Sequence, residues 1–262
     1  MAEYTHWTLE IDEHIAILKL NTLAEMNILT DTTFTELCDL SNQLAENDDV
    51  WGVIIQPHAE HFSAGIDIKL LAEMNRGDEE NFRQTIAEWQ TCLNTFADLE
   101  IPTIAKIRGH CIGTGVILAL CCDIRVADDT ARFQLPELQL GVTSMLGMQR
   151  IIDAIGTTIT KEMLLLGMKL SPERARNVGL ITDFVAPDHL DDAIADLAMR
   201  FRRLPPRTVS IAKEIINKST DLSLTESQAL EIDLQAELLK SPDFIEGVQA
   251  FLEKRKPSFT GE

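Results

Sequence analysis

Apolar residues recur along this chain at two spacings, and the order in which the spacings alternate sketches an α/β protein. Residues 8–12 and 15–20 read as two strands around a tight Glu13-His14 connection, a hairpin. Residues 29–47 switch to helical spacing, with Phe34, Leu37, Leu40 and Leu44 on one face and Thr30 or Asp31 as the N-cap. Residues 50–55 form a short, nearly continuous apolar run, the mark of a buried strand. A long amphipathic helix is predicted over 78–99 from Phe82, Ile86, Trp89, Leu93 and Phe96. Residues 101–107 and 123–127 read as further strands, and 131–134 as an extended piece that Pro136 stops. Past Gly141 the pattern is helical nearly throughout, apart from a brief extended piece at 179–185. Ser171-Pro172 opens one of these helices with a cap and a proline at its first position. Pro205-Pro206 separates two more, and 241–256 is a final amphipathic helix.

The strand-strand-helix unit around 8–47 and the later strand-turn-helix units suggest loose structural repetition, with no repeat at the level of sequence. The natural division is an α/β body over 1–200 followed by a helical region over 201–262. No low-complexity linker separates the two, so the helical region is expected to pack on its own body or on a neighbouring copy.

Composition narrows the class of function. At 262 residues, 45% apolar and 25% charged, the chain can bury a large core. No run of about 18 apolar residues occurs, and no basic start leads into an apolar block. Neither a membrane span nor a signal peptide is therefore expected, and a cytoplasmic location is the default. The net charge of −19, from 42 acidic and 23 basic residues, argues against a nucleic-acid surface. It also means that any anionic ligand must be held by local cations and backbone N–H groups against a repulsive field. The five cysteines have no CxxC spacing and mostly sit in apolar sequence, as small buried hydrophobes do. The six histidines show no paired metal-ligand spacing, so no metal site is expected.

Two places join a strand end to a helix start through glycine. One is His61-Phe62-Ser63-Ala64-Gly65-Ile66-Asp67, where Asp67 is read as the cap of the helical segment 68–74. The other runs from Gly109 through Gly113, Thr114 and Gly115 into the apolar segment ending at Asp123. Such a turn aims unsatisfied N–H groups and the positive end of a helix dipole into one spot, which suits an oxyanion or a phosphate. Gly113-Thr114-Gly115 lacks the Lys-Ser/Thr of a nucleotide loop and the full dinucleotide fingerprint, so those readings drop out.

The chain resembles the crotonase (enoyl-CoA hydratase/isomerase) superfamily in five segments taken in order. They are 62–69, 109–127, the Phe133-Gln134-Leu135-Pro136-Glu137 turn with its continuation to Gly141, 171–180, and 246–257. The resemblance implies a spiral of ββα units with a C-terminal helical region used in trimerisation, as a homotrimer or a dimer of trimers. It implies an acyl-CoA thioester substrate, with no cofactor beyond the coenzyme A that the substrate carries. The shared chemistry is an enolate held by two backbone N–H groups, which by motif position are those of Ile66 and Thr114. Ala64, Asp67, Ile68 and Lys69 would lie beside the substrate, with Lys69 either near the CoA phosphates or simply solvated. Thr114 stands where the family usually has glycine. Thr22-Leu23-Ala24-Glu25-Met26-Asn27 replaces the usual Arg-Pro-Lys pattern of the N-terminal turn.

The acids separate the reactions within that family. Hydratases resembling this chain carry two glutamates that hold a water; the corresponding positions here are Ile117 and Glu137. Dienoyl-CoA isomerases carry an aspartate at the first position and another acid eight residues past the glutamate, where this chain has Met145. The Δ3,Δ2-enoyl-CoA isomerases keep only the later glutamate, and this chain looks most like them. Glu137, expected among Leu135, Leu138 and Met145, would then act as acid and base with its pKa raised by desolvation, in a pocket that also includes Ile117. The alternatives are a hydratase or another enolate reaction such as decarboxylation or hydrolysis, and a non-catalytic member of the kind that binds RNA, which the net charge opposes. His61 and His110 are read as edge or packing residues, Asp123 as a cap at a helix-strand junction, and Lys254 and Lys256 as an exposed helix end.

Overall fold

The computed structural model describes residues 4–22, 26–74 and 78–261. In chain order the strands and helices are β1 (Trp7–Asp12), β2 (Ile15–Leu20), β3 (Ile28–Leu29), α1 (Asp31–Ala45), β4 (Gly52–Pro57), β5 (Gly65–Ile66), α2 (Ile68–Met74), α3 (Glu79–Ala97), β6 (Thr103–Ile107), β7 (His110–Ile112), α4 (Thr114–Leu120), β8 (Ile124–Asp128) and β9 (Arg132–Gln134). A 3-10 turn (Glu137–Leu140) follows, then α5 (Met148–Leu165), α6 (Pro172–Asn177), β10 (Asp183–Val185), a second 3-10 turn (Pro187–His189), α7 (Leu190–Phe201), α8 (Pro206–Ser219), α9 (Leu224–Leu238) and α10 (Pro242–Glu253).

The main sheet runs β1-β2-β4-β6-β8-β10, parallel except for β1 at its edge. Glu13 and His14 turn the β1–β2 hairpin with φ of 42° and 71°, the backbone that a two-residue connection requires. Each main strand then leads into a short strand and a helix: β2-β3-α1, β4-β5-α2, β6-β7-α4 and β8-β9 with the 3-10 turn. This is the ββα spiral implied by the resemblance. The repeat begins at β2 rather than at residue 8, because β1 is an edge addition and the second strand of the first unit is the two-residue β3. A strand so short leaves no alternation to read, so residues 21–28 look irregular in sequence.

Burial on both faces explains the continuous apolar runs. Along β4, Val53 and Ile55 face the large core shared with α1, α3 and α4, while Ile54 faces a second core formed with Leu190, Ile194 and Ala198 of α7. Phe34 of α1 stacks on Trp89 of α3 with ring centroids 4.9 Å apart. Thr30 caps α1 in a capping box with Thr33, and Asp78 caps α3 by accepting from Asn81 N at 2.7 Å. β6 starts at Thr103 rather than at 101, since Pro102 has no N–H to give and offers only its carbonyl, to Val53 N at 2.9 Å.

Helices α8 and α9 pack through a small core of their own, Ile211, Leu234 and Leu238. Lys213 of α8 joins it to the sheet. Its Nζ lies 2.8 Å from Asp123 Oδ2 and donates to Ile101 O at 3.1 Å, with Lys213 only 8% exposed. Asp123 also accepts from Thr103 N and Oγ1, so it does close the junction between α4 and β8. The chain end folds back on α10, where Asp243 accepts from Thr260 N and Gly261 N at 2.8 and 3.0 Å.

Candidate active site

Because the main strands are parallel, every short strand follows the same edge of the sheet, and the glycine turns of the second and third units meet there. Ser63 N donates to His110 O at 2.9 Å and Ile112 N to Ser63 O at 3.0 Å, a parallel bridge that stitches the two turns together. Glycine is required at the contact. A β-carbon on Gly65 would lie 2.9 Å from Ile112 O and 3.4 Å from Thr114 N, and one on Gly115 would lie 2.9 Å from Ser63 O.

That interlock leaves two donors side by side. Asp67 N bonds to Leu29 O at 2.9 Å, so the Ile66 N–H one residue earlier points to the opposite side of the strand, away from β3. Thr114 opens α4, and the first N–H groups of a helix have no partner within it. Gly113 gives its own N–H to Gln134 O, while among the described residues no acceptor is recorded for Thr114 N. A negatively charged oxygen between these N–H groups meets preorganised donors and the start of a helix.

Glu137 closes the arrangement. It follows Pro136 at the start of the 3-10 turn, whose end at Gly141 (φ 75°) swings the chain back so that Val142 N donates to Glu137 O at 3.3 Å. Its Oε1 lies 3.6 Å from where a β-carbon on Gly113 would be, and its Oε2 is buried without a hydrogen-bond partner. A cavity of about 60 Å³ is lined by Ala64, Gly65, Ile66, Thr114, Glu137 and Met145, among others. Burial raises the Glu137 pKa above its ordinary value, against a smaller opposing effect of its own backbone N–H. Glu137 is the single carboxylate among the described residues lining this cavity.

Residues 10–262 match the family described as Enoyl-CoA hydratase/isomerase. The chain is 32% identical over 252 residues to a "Probable enoyl-CoA hydratase echA8" of Mycobacterium tuberculosis (strain CDC 1551 / Oshkosh), covering 96% of each protein. It is 31% identical over 250 residues to the "2,3-dehydroadipyl-CoA hydratase" of Escherichia coli (strain K12), covering 95% of this chain and 96% of that one. A solved enoyl-CoA hydratase from Bacillus anthracis superposes with a TM-score of 0.92 at 29% identity, over 98% of this chain and all of the other. The chain belongs to the enoyl-CoA hydratase/isomerase family.

Not every residue that the family resemblance pointed to lies in the cavity. Ile66, Thr114, Glu137, Ala64 and Met145 come together there. Ile117 does not: it is 1% exposed and lies in the core, 2.6 Å from where a β-carbon on Gly147 would be. The first acid position is filled by a core side chain because α4 is buried along nearly its whole length. Leu138 is likewise exposed, and Leu140 and Val142 line the cavity instead, since the 3-10 turn rotates Leu138 outward. Asp67 caps α2 by accepting from Lys69 N at 2.8 Å; Ile68 and Lys69 are exposed on its first turn, outside the cavity lining. Among the described residues no carboxylate forms an ion pair with Lys69. Of the N-terminal turn that departs from the family's basic pattern, Leu23, Ala24 and Glu25 lie outside the described residues.

His61 and His110 pack rather than reach the cavity. Their rings are 4.5 Å apart, His110 N donates to His61 Nδ1 at 3.3 Å, and a β-carbon on Gly109 would lie 2.2 Å from that nitrogen. Burial lowers the His110 pKa, with smaller effects of the same sign from His61, Lys169 and Arg132. Burial also pushes the Cys111 thiol up, which keeps it protonated and removes it as a nucleophile. Lys254 ends α10 in a left-handed conformation, and Lys256 lines a separate pocket with His14 and Trp51.

Three residues beyond those read from sequence shape the site. Met26 O accepts from Ala64 N at 2.9 Å, and Asn27 gives Nδ2 to His61 O at 2.8 Å while its carbonyl accepts from Ser63 Oγ at 2.7 Å. Ser144 lines the cavity with its Oγ buried and unpartnered. None of these carries a sequence signal, since each role depends on a contact across the fold.

Proposed function

We propose that this protein moves the double bond of a 3-enoyl-CoA to the 2-position, with Glu137 as the one acid/base. The observation that carries this reading is the cavity itself, which holds a single carboxylate, burial-shifted and partly unpartnered, beside two convergent N–H donors. The Glu137 carboxylate takes a proton from C2, and the electrons of that C–H bond pass through C1 onto the thioester oxygen. The Ile66 and Thr114 N–H groups hold that oxyanion in a site shielded from bulk water, where such donors matter most. The dienolate collapses as Glu137 returns the proton to C4, leaving the double bond between C2 and C3. One carboxylate suffices because it ends the cycle as it began, and its raised pKa brings it nearer to the carbon acid it must deprotonate. Lys69, three residues after the first donor and without an ion-pair partner among the described residues, is assigned to the CoA phosphates.

A second reading, hydration of a 2-enoyl-CoA, is favoured by the names of the curated relatives. Incubating the protein with 3-hexenoyl-CoA and with 2-hexenoyl-CoA separates the two by product. Double-bond migration that disappears in Glu137→Gln supports the isomerase reading. Hydration without migration, or migration that survives Glu137→Gln, overturns it.

The helical region suits the assembly that the family resemblance implies. Ile232 of α9 and Phe251 and Leu252 of α10 are 70%, 83% and 74% exposed, more apolar surface than a monomer usually leaves open. We assign these helices to contacts between copies in a trimer.

A further inference from the structure

A second polar group belongs to the cavity that Glu137 occupies. Of the five buried side-chain nitrogen or oxygen atoms without a hydrogen-bond partner among the described residues, two are Glu137 Oε2 and Ser144 Oγ. Both residues line the same space of about 60 Å³. Ser144 is only 6% exposed, so bulk water does not satisfy its hydroxyl, and a buried hydroxyl left unpaired opposes folding. The neighbouring Thr143 is exposed and has no such need.

The backbone holds Ser144 where it is. The 3-10 turn ends at Gly141, Val142 N returns to Glu137 O, and Gln90 of α3 gives Nε2 to Met145 O at 2.6 Å. The serine thus sits on a segment fixed at both sides, folded back toward the carboxylate from which it started. A polar cavity of this size has room for a water, which needs two or more partners to be held.

We propose that Ser144 Oγ and Glu137 together hold the oxygen atom that adds to or leaves C3, so that the same site also interconverts 2-enoyl and 3-hydroxyacyl thioesters. The inference rests on the reading of Glu137 as acid/base given above. As the water oxygen bonds to C3, the C2=C3 π electrons pass to the thioester oxygen between the Ile66 and Thr114 N–H groups, and Glu137 takes one water proton. Glu137 then delivers that proton to C2 as the enolate collapses. Every atom added comes from the water, and no net charge remains on the protein. Ser144 exchanges no proton; it fixes the oxygen by one hydrogen bond, the positioning task for which family hydratases use a second glutamate and for which the core side chain of Ile117 is unsuited. Isomerisation needs no such group, since its transferred atom is only a proton.

The test is the ratio of hydration to isomerisation, measured on 2-hexenoyl-CoA and 3-hexenoyl-CoA with the same enzyme preparations. The wild type is expected to form 3-hydroxyhexanoyl-CoA, Ser144→Ala to lower the ratio at least tenfold, and Ser144→Thr, which keeps the hydroxyl, to recover most of it. Ser144→Ala is also expected to unfold at no lower temperature than the wild type. A wild type that isomerises without hydrating, a ratio unchanged in Ser144→Ala, or two activities that fall in parallel overturns the proposal. Glu137→Gln is the separate arm: isomerisation that persists there removes the acid/base reading, whatever Ser144 does.

Discussion

Replacing Gly65 by alanine tests the geometry of the two donors without touching any side chain of the site. The new methyl would stand 2.9 Å from Ile112 O, where carbon and carbonyl oxygen ordinarily keep about 3.3 Å. The gap between the turns must therefore widen by about 0.4 Å. The Ser63–Cys111 bridge resists that movement, and Gly65 itself has φ of 89°, a conformation that alanine adopts with strain of about 1–3 kcal/mol. Relief comes in two ways, and both damage the site. Displacing residues 112–114 takes the Thr114 N–H away from the oxyanion, while rotating Gly65 toward negative φ turns the peptide plane that carries the Ile66 N–H. Losing one such donor costs about 3 kcal/mol, or roughly 100-fold to 1,000-fold in kcat. Since the donors act most strongly on charge that develops in the transition state, kcat is expected to fall while KM changes little. Urea denaturation is expected to show a stability loss of about 1–3 kcal/mol alongside. Steady-state rates on 3-hexenoyl-CoA and 2-hexenoyl-CoA give the first quantity for either reaction. A folded Gly65→Ala protein with kcat within threefold of wild type on its preferred thioester would show that the oxyanion is held elsewhere.

Burial raises the Glu137 pKa above its ordinary value of 4.5, so the native state holds that proton at pH values where the unfolded chain has lost it. Its contribution to stability is thus full below pH 4.5 and is lost as pH rises through the native pKa; Glu137→Gln is expected to melt higher than wild type at pH 8, with the advantage shrinking at pH 4. The acid limb of the wild-type kcat/KM profile should inflect above 4.5, and an inflection at or below that value refutes the desolvated base. Lys213→Met strips Asp123 and Ile101 O of their buried cation and is expected to cost about 2–3 kcal/mol in urea denaturation with kcat retained, because α8 lies outside the cavity lining. A doubly substituted Phe251→Glu, Leu252→Glu protein is expected to sediment as a monomer where the wild type sediments as a trimer, and an unchanged mass removes these helices from the interface.

Much of the site was legible because its parts are local. Asp67 followed by an apolar helical segment, glycine at 65, 113 and 115, and proline before Glu137 all constrain the backbone within a few residues, and each does in the structure what its pattern suggested. Misreadings arose where a side chain's direction mattered. Ile117 is one position in an apolar helix, and nothing local says which side faces the cavity; burial of nearly all of α4 sends it into the core against Gly147. Leu138 and Leu140 are two residues apart on a 3-10 turn, and its pitch decides which of them lines the space beside Glu137. Ser144, Asn27 and Lys213 gave no signal because each has a role only through partners 7 to 90 residues away along the chain: Glu137, Ser63 with His61, and Asp123 respectively.

By itself, the sequence determined the repeating strand-turn-helix order, the two glycine turns and the lone acid after Pro136, since helix caps, glycine conformations and apolar periods act over one or two turns of chain. Tertiary structure decided that the two turns meet. The parallel sheet brings β5 beside β7 through one pair of hydrogen bonds, and only that contact sets the Ile66 and Thr114 N–H groups on one oxygen. It also decided what shares the cavity with Glu137, because removing Oε2 and Ser144 Oγ from water is a property of the packed fold and of no segment within it.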